Sequence, residues 1–126
     1  MSYLVDTHVL LELRKGRQCD PRVASWFSRV SAEELYLSAL TVGEIRTGIE
    51  NVRRRDERRA AALEAWLSEL EANHAGRIIP IDLAVAEQWG RSNGPEPLPV
   101  IEGLLAATAA VHGLTLVTRK VEHVSG

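Results

Sequence analysis

Residues 3–14 read YLVDTHVLLELR, and they give the clearest indication of the fold. Tyr3-Leu4-Val5 is a short apolar run of β-prone residues, whereas Val9 to Arg14 places apolar residues at helical spacing. Asp6 stands between the two runs, where a residue that caps a helix is expected. The stretch therefore predicts a buried strand, a tight turn and a helix, which together begin an α/β unit.

The same alternation of strand and helix continues along the chain. Further strands are predicted at Leu35–Ser38, Arg77–Ile81 and Leu114–Thr118. One helix is predicted to start at Asp20-Pro21 and to carry Val23, Trp26, Phe27 and Val30 on one face, and another to begin at Thr41. Three more helices are predicted at Asp56–His74, Leu83–Trp89 and Val100–His112, with a loop at Gly90–Pro99. Short strands without polar alternation predict a parallel sheet that helices cover on both faces.

Composition narrows the class of protein. The chain has 126 residues, 45% of them hydrophobic, which is enough for one domain with its own core. Its single cysteine, Cys19, excludes an internal disulfide and a cysteine-rich zinc site. No apolar run reaches the roughly 20 residues of a membrane span, and the N-terminus lacks an export signal, so a cytoplasmic protein without membrane contact is expected.

The charge balance bears on nucleic-acid binding. Lys and Arg number 15 against 17 Asp and Glu, a net charge of −2. No basic surplus favours a phosphate backbone as ligand, although a local patch is compatible with this balance. If the substrate is a phosphodiester, a bound metal ion is the obvious source of positive charge.

Three acidic residues are candidates for such a metal site. Asp6 ends the first strand, Glu44 lies one turn into the helix after the second strand, and Glu102 opens the most apolar segment. Each also has a structural interpretation: a helix cap, a first-turn acid that favours the helix dipole, and a solvent-facing first turn. Ligands gather at the carboxyl ends of parallel strands, and converging carboxylates suit Mg²⁺ or Mn²⁺, which activates water for attack on a phosphate.

The chain also resembles a known family in five fragments that follow one another in order. They are Leu4–Val9, Leu37–Gly48, Arg77–Asp82, Gly103–Ala109 and Leu116–Arg119. Together they are similar to PIN-domain ribonucleases, and above all to the VapC/FitB-type toxins of bacterial type II toxin–antitoxin pairs. The resemblance runs along essentially the whole chain.

The resemblance implies a three-layer α/β/α sandwich around a central parallel sheet, as a single PIN domain over residues 1–126 that can lack the family's last short strand. It implies a toxin that hydrolyses RNA phosphodiester bonds with Mg²⁺ or Mn²⁺. It further implies inhibition by a cognate antitoxin that docks in an apolar groove between the early helices. Operator DNA is then bound only through the antitoxin, and the toxin forms a homodimer.

Family positions can be assigned residue by residue. The metal-holding catalytic acids fall on Asp6, Glu44 and Glu102, and Thr7 and Thr118 match polar positions that line the site. Glu102 stands where the family has Asp, and Lys120 stands where it often has Asp or Asn. Lys120 could displace a second metal or contact a phosphate as a point charge. An alternative follows from these departures, namely a catalytically weakened PIN module that mainly binds its antitoxin and tunes repression.

The remaining polar residues carry weaker predictions. Arg14 and Arg46 are candidates for contacts with RNA phosphates or antitoxin acids, and the charged run 53–59 is more simply a solvated helix start than an RNA patch. His8 is expected at the surface near the site, and the spacing of the four histidines does not fit zinc. A receiver-type signalling domain ranks lower, because Asp82 is more simply a helix cap.

Overall fold

Four short strands and six α-helices alternate along residues 1–118, the part of the chain that this computed structural model describes. The strands are β1 (Tyr3–Val5), β2 (Leu35–Ser38), β3 (Ile78–Ile79) and β4 (Thr115–Val117). The helices are α1 (Thr7–Arg14), α2 (Pro21–Phe27), α3 (Ala39–Arg53), α4 (Glu57–Asn73), α5 (Leu83–Ser92) and α6 (Val100–His112). Within this range no helix combines the length and the apolar character that crossing a membrane requires.

All strand pairs are parallel, and the order in the sheet is β3-β2-β1-β4. The chain moves outward from β1 to β2 and β3, and then returns to place β4 on the other side of β1. The strand order therefore reverses between β1 and β4. In open parallel sheets, ligands bind outside the carboxyl ends of the strands at such a reversal, and Asp6 follows β1 at this point.

Two hydrophobic cores lie on opposite faces of the sheet. Successive strand residues alternate between the faces, so Val5 packs with residues of α1, α3 and α4, whereas Leu4 packs with Leu105 and Ala109 of α6. Helix α5 packs on α6. The predicted three-layer α/β/α arrangement with a central parallel sheet is confirmed.

Side-chain caps set the beginnings of five α-helices. The capping residues are Asp6, Asp20, Ser38, Asp56 and Asp82, each accepting a hydrogen bond from a backbone N–H of the first turn. Helix α6 differs, because it follows Pro99 without any side-chain cap. It ends at Gly113, whose φ of 66° is a left-handed conformation that glycine adopts without strain.

Several predicted boundaries are wrong, each for a local reason. The strand predicted at Arg77–Ile81 is only Ile78–Ile79, because Pro80 has no N–H to donate and the N–H of Arg77 bonds His74 instead. Helix α5 extends beyond Trp89 to Ser92, which shortens the predicted loop. Helix α2 ends at Phe27, before Val30, and Phe27 is 44% exposed, whereas Val23 and Trp26 are half-buried.

Candidate active site

Asp6 combines the two roles that its sequence position suggested as alternatives. Its backbone N–H continues the sheet by donating to Val117 O at 3.1 Å, and its Oδ1 accepts from Val9 N at 2.9 Å to cap α1. The side chain is nevertheless part of a cavity wall, and the residue is only 7% exposed. A carboxylate so far removed from water favours a nearby cation.

Glu44 reaches the same cavity from α3. Ser38 ends β2 fully buried and caps α3 through a 3.0 Å bond from Leu40 N, which fixes the direction in which the helix leaves the sheet. Glu44 lies in the second turn of that helix. Thr7, the first residue of α1, donates its hydroxyl to Glu44 Oε1 at 2.5 Å. This short bond links α1 to α3 and orients the Glu44 carboxylate.

Glu102 comes from the opposite layer. It lies in the first turn of α6, where it is half-buried. The helix packs through Leu105 against Leu4 of β1, so its N-terminal turn is carried to the carboxyl edge of the sheet. The first turn of a helix favours negative charge. Acids from both helical layers thus face one space.

That space is a cavity of about 270 Å³. Its polar lining residues are Asp6, Thr7, His8, Glu44, Glu102 and Thr118, and its apolar ones are Pro99, Val100, Ile101 and Leu105. Five of the predicted site residues therefore line a single cavity at the reversal of strand order. Lys120, the sixth, lies outside the described residues.

The donor set of the cavity fits a hard divalent cation. Its carboxylate and hydroxyl oxygens are the ligands that Mg²⁺ and Mn²⁺ prefer, and the space accommodates water and a phosphate besides an ion. In this conformation, residues 1–118 contain no group of three or more His, Cys, Asp or Glu side chains close enough together to hold a metal ion. Glu44 points to Thr7, and one oxygen of Asp6 caps α1, so complete ligation requires side-chain adjustment.

Arg14 and Arg46 lie away from this cavity. The Arg14 guanidinium stacks over the Trp66 ring at 5.7 Å from its centre, in a separate groove. Arg46 forms ion pairs with Glu64 at 3.2 Å and Glu50 at 3.5 Å. Their predicted contacts with RNA or an antitoxin stay predictions, and binding through Arg46 would have to compete with these carboxylates.

Arg54, Arg55, Arg58 and Arg59 of the charge run are exposed, as a solvated helix start predicts. Arg53 and Glu57 of the run instead belong to an ion-pair network, which we call the α3–α4 corner. It consists of Arg46, Glu50, Arg53, Glu57 and Glu64. Arg53 contacts Glu50 at 3.0 Å, Glu57 at 3.0 Å and Glu64 at 2.6 Å. Its hydrogen bonds lower the pKa of Glu50 and Glu64 below the ordinary value of 4.5. The corner therefore keeps Glu50 and Glu64 charged with its own cations.

A second depression is the apolar groove, about 420 Å³ in volume, between α1, α2 and α4. Its lining includes Leu13, Arg14, Phe27, Trp66 and Leu70. Phe27 is 44% exposed there, which is unusual for so large an apolar side chain. The groove matches the position between the early helices where the family resemblance implies that an antitoxin docks.

Sequence reasoning underestimated His8 and missed the packing around Glu102. His8 is exposed, as expected, but it also lines the cavity. Its place directly after Asp6-Thr7, in a helical turn that starts at the sheet edge, is the signal that indicates this position. Trp89 packs against Gly103 beside Glu102. No local sequence pattern predicts that contact, because it joins two different helices.

Comparisons with known proteins agree with the fold. A family model described as PIN domain matches residues 3–120. The chain is 33% identical to Toxin FitB of Neisseria gonorrhoeae, over 92% of this chain and 86% of that protein, and 32% identical to VapC ribonuclease Y4jK of Sinorhizobium fredii, over 92% and 85%. It also superposes on a solved structure of FitAB bound to an IR36 DNA fragment, with a TM-score of 0.86, 28% identity, and coverage of 97% of this chain and 87% of that one.

Proposed function

The chain belongs to the PIN domain family, and we propose that it is a metal-dependent endoribonuclease acting as the toxin of a toxin–antitoxin pair. One observation carries the proposal: carboxylates from α3, α6 and the end of β1 line a single cavity at the reversal of strand order. The relative named VapC ribonuclease supports RNA as the substrate.

In this proposal Asp6, Glu44 and Glu102 hold Mg²⁺ or Mn²⁺. When bound, the ion lowers the pKa of a coordinated water and neutralises the charge that develops on the scissile phosphate. Thr7 keeps the Glu44 carboxylate oriented through its 2.5 Å hydrogen bond. Thr118, at the end of β4, adds a hydroxyl that can donate to a phosphate oxygen.

The surroundings of the acids fit an RNA strand that enters from solvent. His8 is exposed at the cavity and can contact a phosphate or base of the bound strand. Val100 is 58% exposed beside it and offers apolar surface to a nucleobase. Since the acids carry negative charge, substrate binding depends on the metal ion, which agrees with the net charge of −2.

The partner we propose is a cognate antitoxin that lays an apolar segment into the groove. Leu13, Phe27 and Trp66 provide the apolar contact surface, and Arg14 provides a cation for an acidic residue of the partner. The chain's similarity to the toxin in the DNA-bound FitAB complex supports both the antitoxin and an operator DNA that is contacted through it. A toxin homodimer completes the proposed assembly.

Cleavage of labelled RNA by the purified chain tests the enzyme. We expect cleavage with Mn²⁺ or Mg²⁺, none in excess EDTA, and none by Asp6→Ala. The matched control is Asp82→Ala, because Asp82 caps α5 in the way that Asp6 caps α1, through a 3.0 Å bond from Val85 N, but lies outside the cavity. Full activity in EDTA or in Asp6→Ala would contradict the proposal.

A second candidate function is the weakened binding module. Two observations favour it: within the described chain no three acidic, histidine or cysteine side chains gather into a metal-holding group, and Glu102 is one methylene longer than the Asp that is usual in the family. This candidate predicts tight antitoxin binding without metal-dependent cleavage. Detection of a saturable Mn²⁺ site together with RNA cleavage would exclude it.

A further inference from the structure

Gly103 occupies a position where a glycine calls for an explanation. It lies within α6, next to Glu102, among leucines and alanines that favour a helix, whereas glycine disfavours one. Its backbone is not left-handed, since the positive φ angles among residues 1–118 belong to Gly16, Gly76 and Gly113. Conformational freedom therefore does not explain this glycine.

Space explains it. A Cβ atom at position 103 would lie 3.0 Å from Trp89 Nε1 and 3.1 Å from Trp89 Cδ1, closer than side-chain carbons normally approach. At each of the other seven glycines in residues 1–118, a Cβ would meet nothing within 4 Å. The indole of Trp89 on α5 thus fits against the bare backbone of α6 at one point, directly beside Glu102.

The contact matters because of its position at the start of α6. Unlike the other five α-helices, α6 begins without a side-chain cap. Its first residue, Val100, is 58% exposed, and the loop before it is exposed throughout residues 93–99. Ile101 in the same turn packs on the core that contains Leu4 and Leu105, and the packing of Trp89 against Gly103 adds a second tertiary contact directly beside Glu102.

The Trp89 indole makes this contact although its N–H group is buried without a hydrogen-bond partner among the described residues. Burial without a partner is an unfavourable state for a polar donor. A smaller apolar side chain would avoid that cost, but it would not reach the α6 backbone over the same breadth. The shape of the side chain, rather than its polarity, accounts for its presence.

We propose that Trp89 is a positioning residue for the metal site: by packing on Gly103 it fixes the first turn of α6 and so aims Glu102 at the cavity that contains Asp6. This inference rests on the proposed function, since it assigns Glu102 to the metal. Outer residues that orient metal ligands affect metal affinity by about 10–100-fold when they are lost. The proposal therefore concerns ion affinity and not stability alone.

Mn²⁺ titration by calorimetry tests the proposal, using the full chain well below its Tm. We expect Gly103→Ala to raise the Mn²⁺ dissociation constant by about tenfold. Gly90→Ala is the matched control, because it adds the same methyl group on α5 where a Cβ meets nothing within 4 Å. It should change the dissociation constant by less than about twofold. Unchanged affinity in Gly103→Ala would overturn the proposal.

A double variant separates positioning from a general loss of structure. In a Trp89→Leu background the added methyl group has room, so Gly103→Ala should change the dissociation constant by less than about threefold there. A tenfold loss that persists in this background would overturn the role of Trp89. If Gly103→Ala does not fold, the Trp89→Leu single variant tests the proposal instead. We expect it to bind Mn²⁺ at least about fivefold more weakly than the wild type. Wild-type affinity in this variant would refute the proposal.

Asp6→Asn distinguishes failure of this inference from failure of the proposed function. If the wild type binds no Mn²⁺, or if Asp6→Asn binds it as tightly as the wild type, the proposed metal site that includes Asp6 is wrong. If the wild type binds, Asp6→Asn does not, and Gly103→Ala binds normally, then only the role of Trp89 is wrong.

Discussion

The cavity and the α3–α4 corner both contain clustered acidic residues, but they neutralise them differently. At the corner, Glu50 and Glu64 pair with Arg53 and Arg46. In the cavity, Asp6 accepts from a backbone N–H and Glu44 from a hydroxyl, and neither forms an ion pair within residues 1–118. The corner carries its own cations, whereas Asp6 and Glu44 are residues that we propose to bind a metal ion.

The contrast explains why a chain with a net charge of −2 is compatible with a phosphodiester substrate. Acids that are already paired, as at the corner, contribute little to attraction or repulsion of a ligand. Asp6 and Glu44 form no ion pair within residues 1–118, so they concentrate negative potential, which a divalent ion can reverse locally. Where the acids lie matters more than how many there are.

The largest expected effect comes from exchanging one glutamate in each region for glutamine. Glu44→Gln removes a charged carboxylate that we propose as a metal ligand, so RNA cleavage should fall by more than about 100-fold. Glu64→Gln removes a charge of equal size at the corner and should leave the cleavage rate within about twofold of the wild type. Rates measured at saturating Mn²⁺ check both. Equal losses of cleavage rate in Glu44→Gln and Glu64→Gln would contradict the proposed difference between the cavity and the corner.

A smaller effect is expected from the hydroxyl that orients Glu44. Thr7→Val removes the 2.5 Å bond while it keeps the shape of the side chain, and it should weaken Mn²⁺ binding by about tenfold. Thr7→Ser, which keeps the hydroxyl, should retain most of the affinity.

Thr47→Val is the matched control for that change. Thr47 lies one turn beyond Glu44 on α3, and its hydroxyl bonds the helix backbone at Gly43 O. Its replacement should leave Mn²⁺ affinity unaltered. Similar losses in Thr7→Val and Thr47→Val would indicate a general effect on α3 instead of an effect on the carboxylate.

The smallest effect is expected at the corner. Arg53→Ala should lower Tm by only a few degrees, because the network is exposed to solvent, and it should leave Mn²⁺ affinity unchanged. The wild-type network should also lose its contribution at high salt, which screens exposed charges. Thermal melts at low and high ionic strength check this, and a large loss of Tm would show that the corner holds the fold together.

The pH dependence of the corner follows from the same pairing. Arg53 lowers the pKa of Glu50 and Glu64 in the folded state below the ordinary value of 4.5. The paired carboxylates therefore stabilise the fold above about pH 4.5, and this stabilisation disappears as the pH falls through the lowered pKa values. In Arg53→Ala the decline of Tm below pH 4.5 should be shallower than in the wild type. An equal decline would contradict the assignment.

Local sequence patterns predicted most of the fold. Asp20 and Asp82 cap the helices at the expected places, because capping depends only on a few neighbouring residues. The parallel sheet followed from apolar strands that alternate with helices. The extent of β3 did not, because hydrogen bonds to a neighbouring strand and the missing N–H of Pro80 decide it.

Residues of the candidate site could be predicted from the sequence when their position in a strand or helix places them at the carboxyl edge of the sheet. Asp6, Glu44 and Glu102 were found in this way and line one cavity. The partners of these residues were not predictable. The pairing of Arg46 with Glu64 and the contact of Trp89 with Gly103 each join two helices, and single-sequence periodicity does not encode which helices meet.

We propose that Asp6 belongs to a metal site and does not only cap a helix. Calorimetric titration of Mn²⁺ into the wild type, Asp6→Asn and Asp82→Asn tests it, because both aspartates cap helices through bonds of 2.9 and 3.0 Å. We predict a saturable Mn²⁺ site in the wild type and in Asp82→Asn, and none in Asp6→Asn. Equal Mn²⁺ binding by Asp6→Asn and the wild type would contradict the claim.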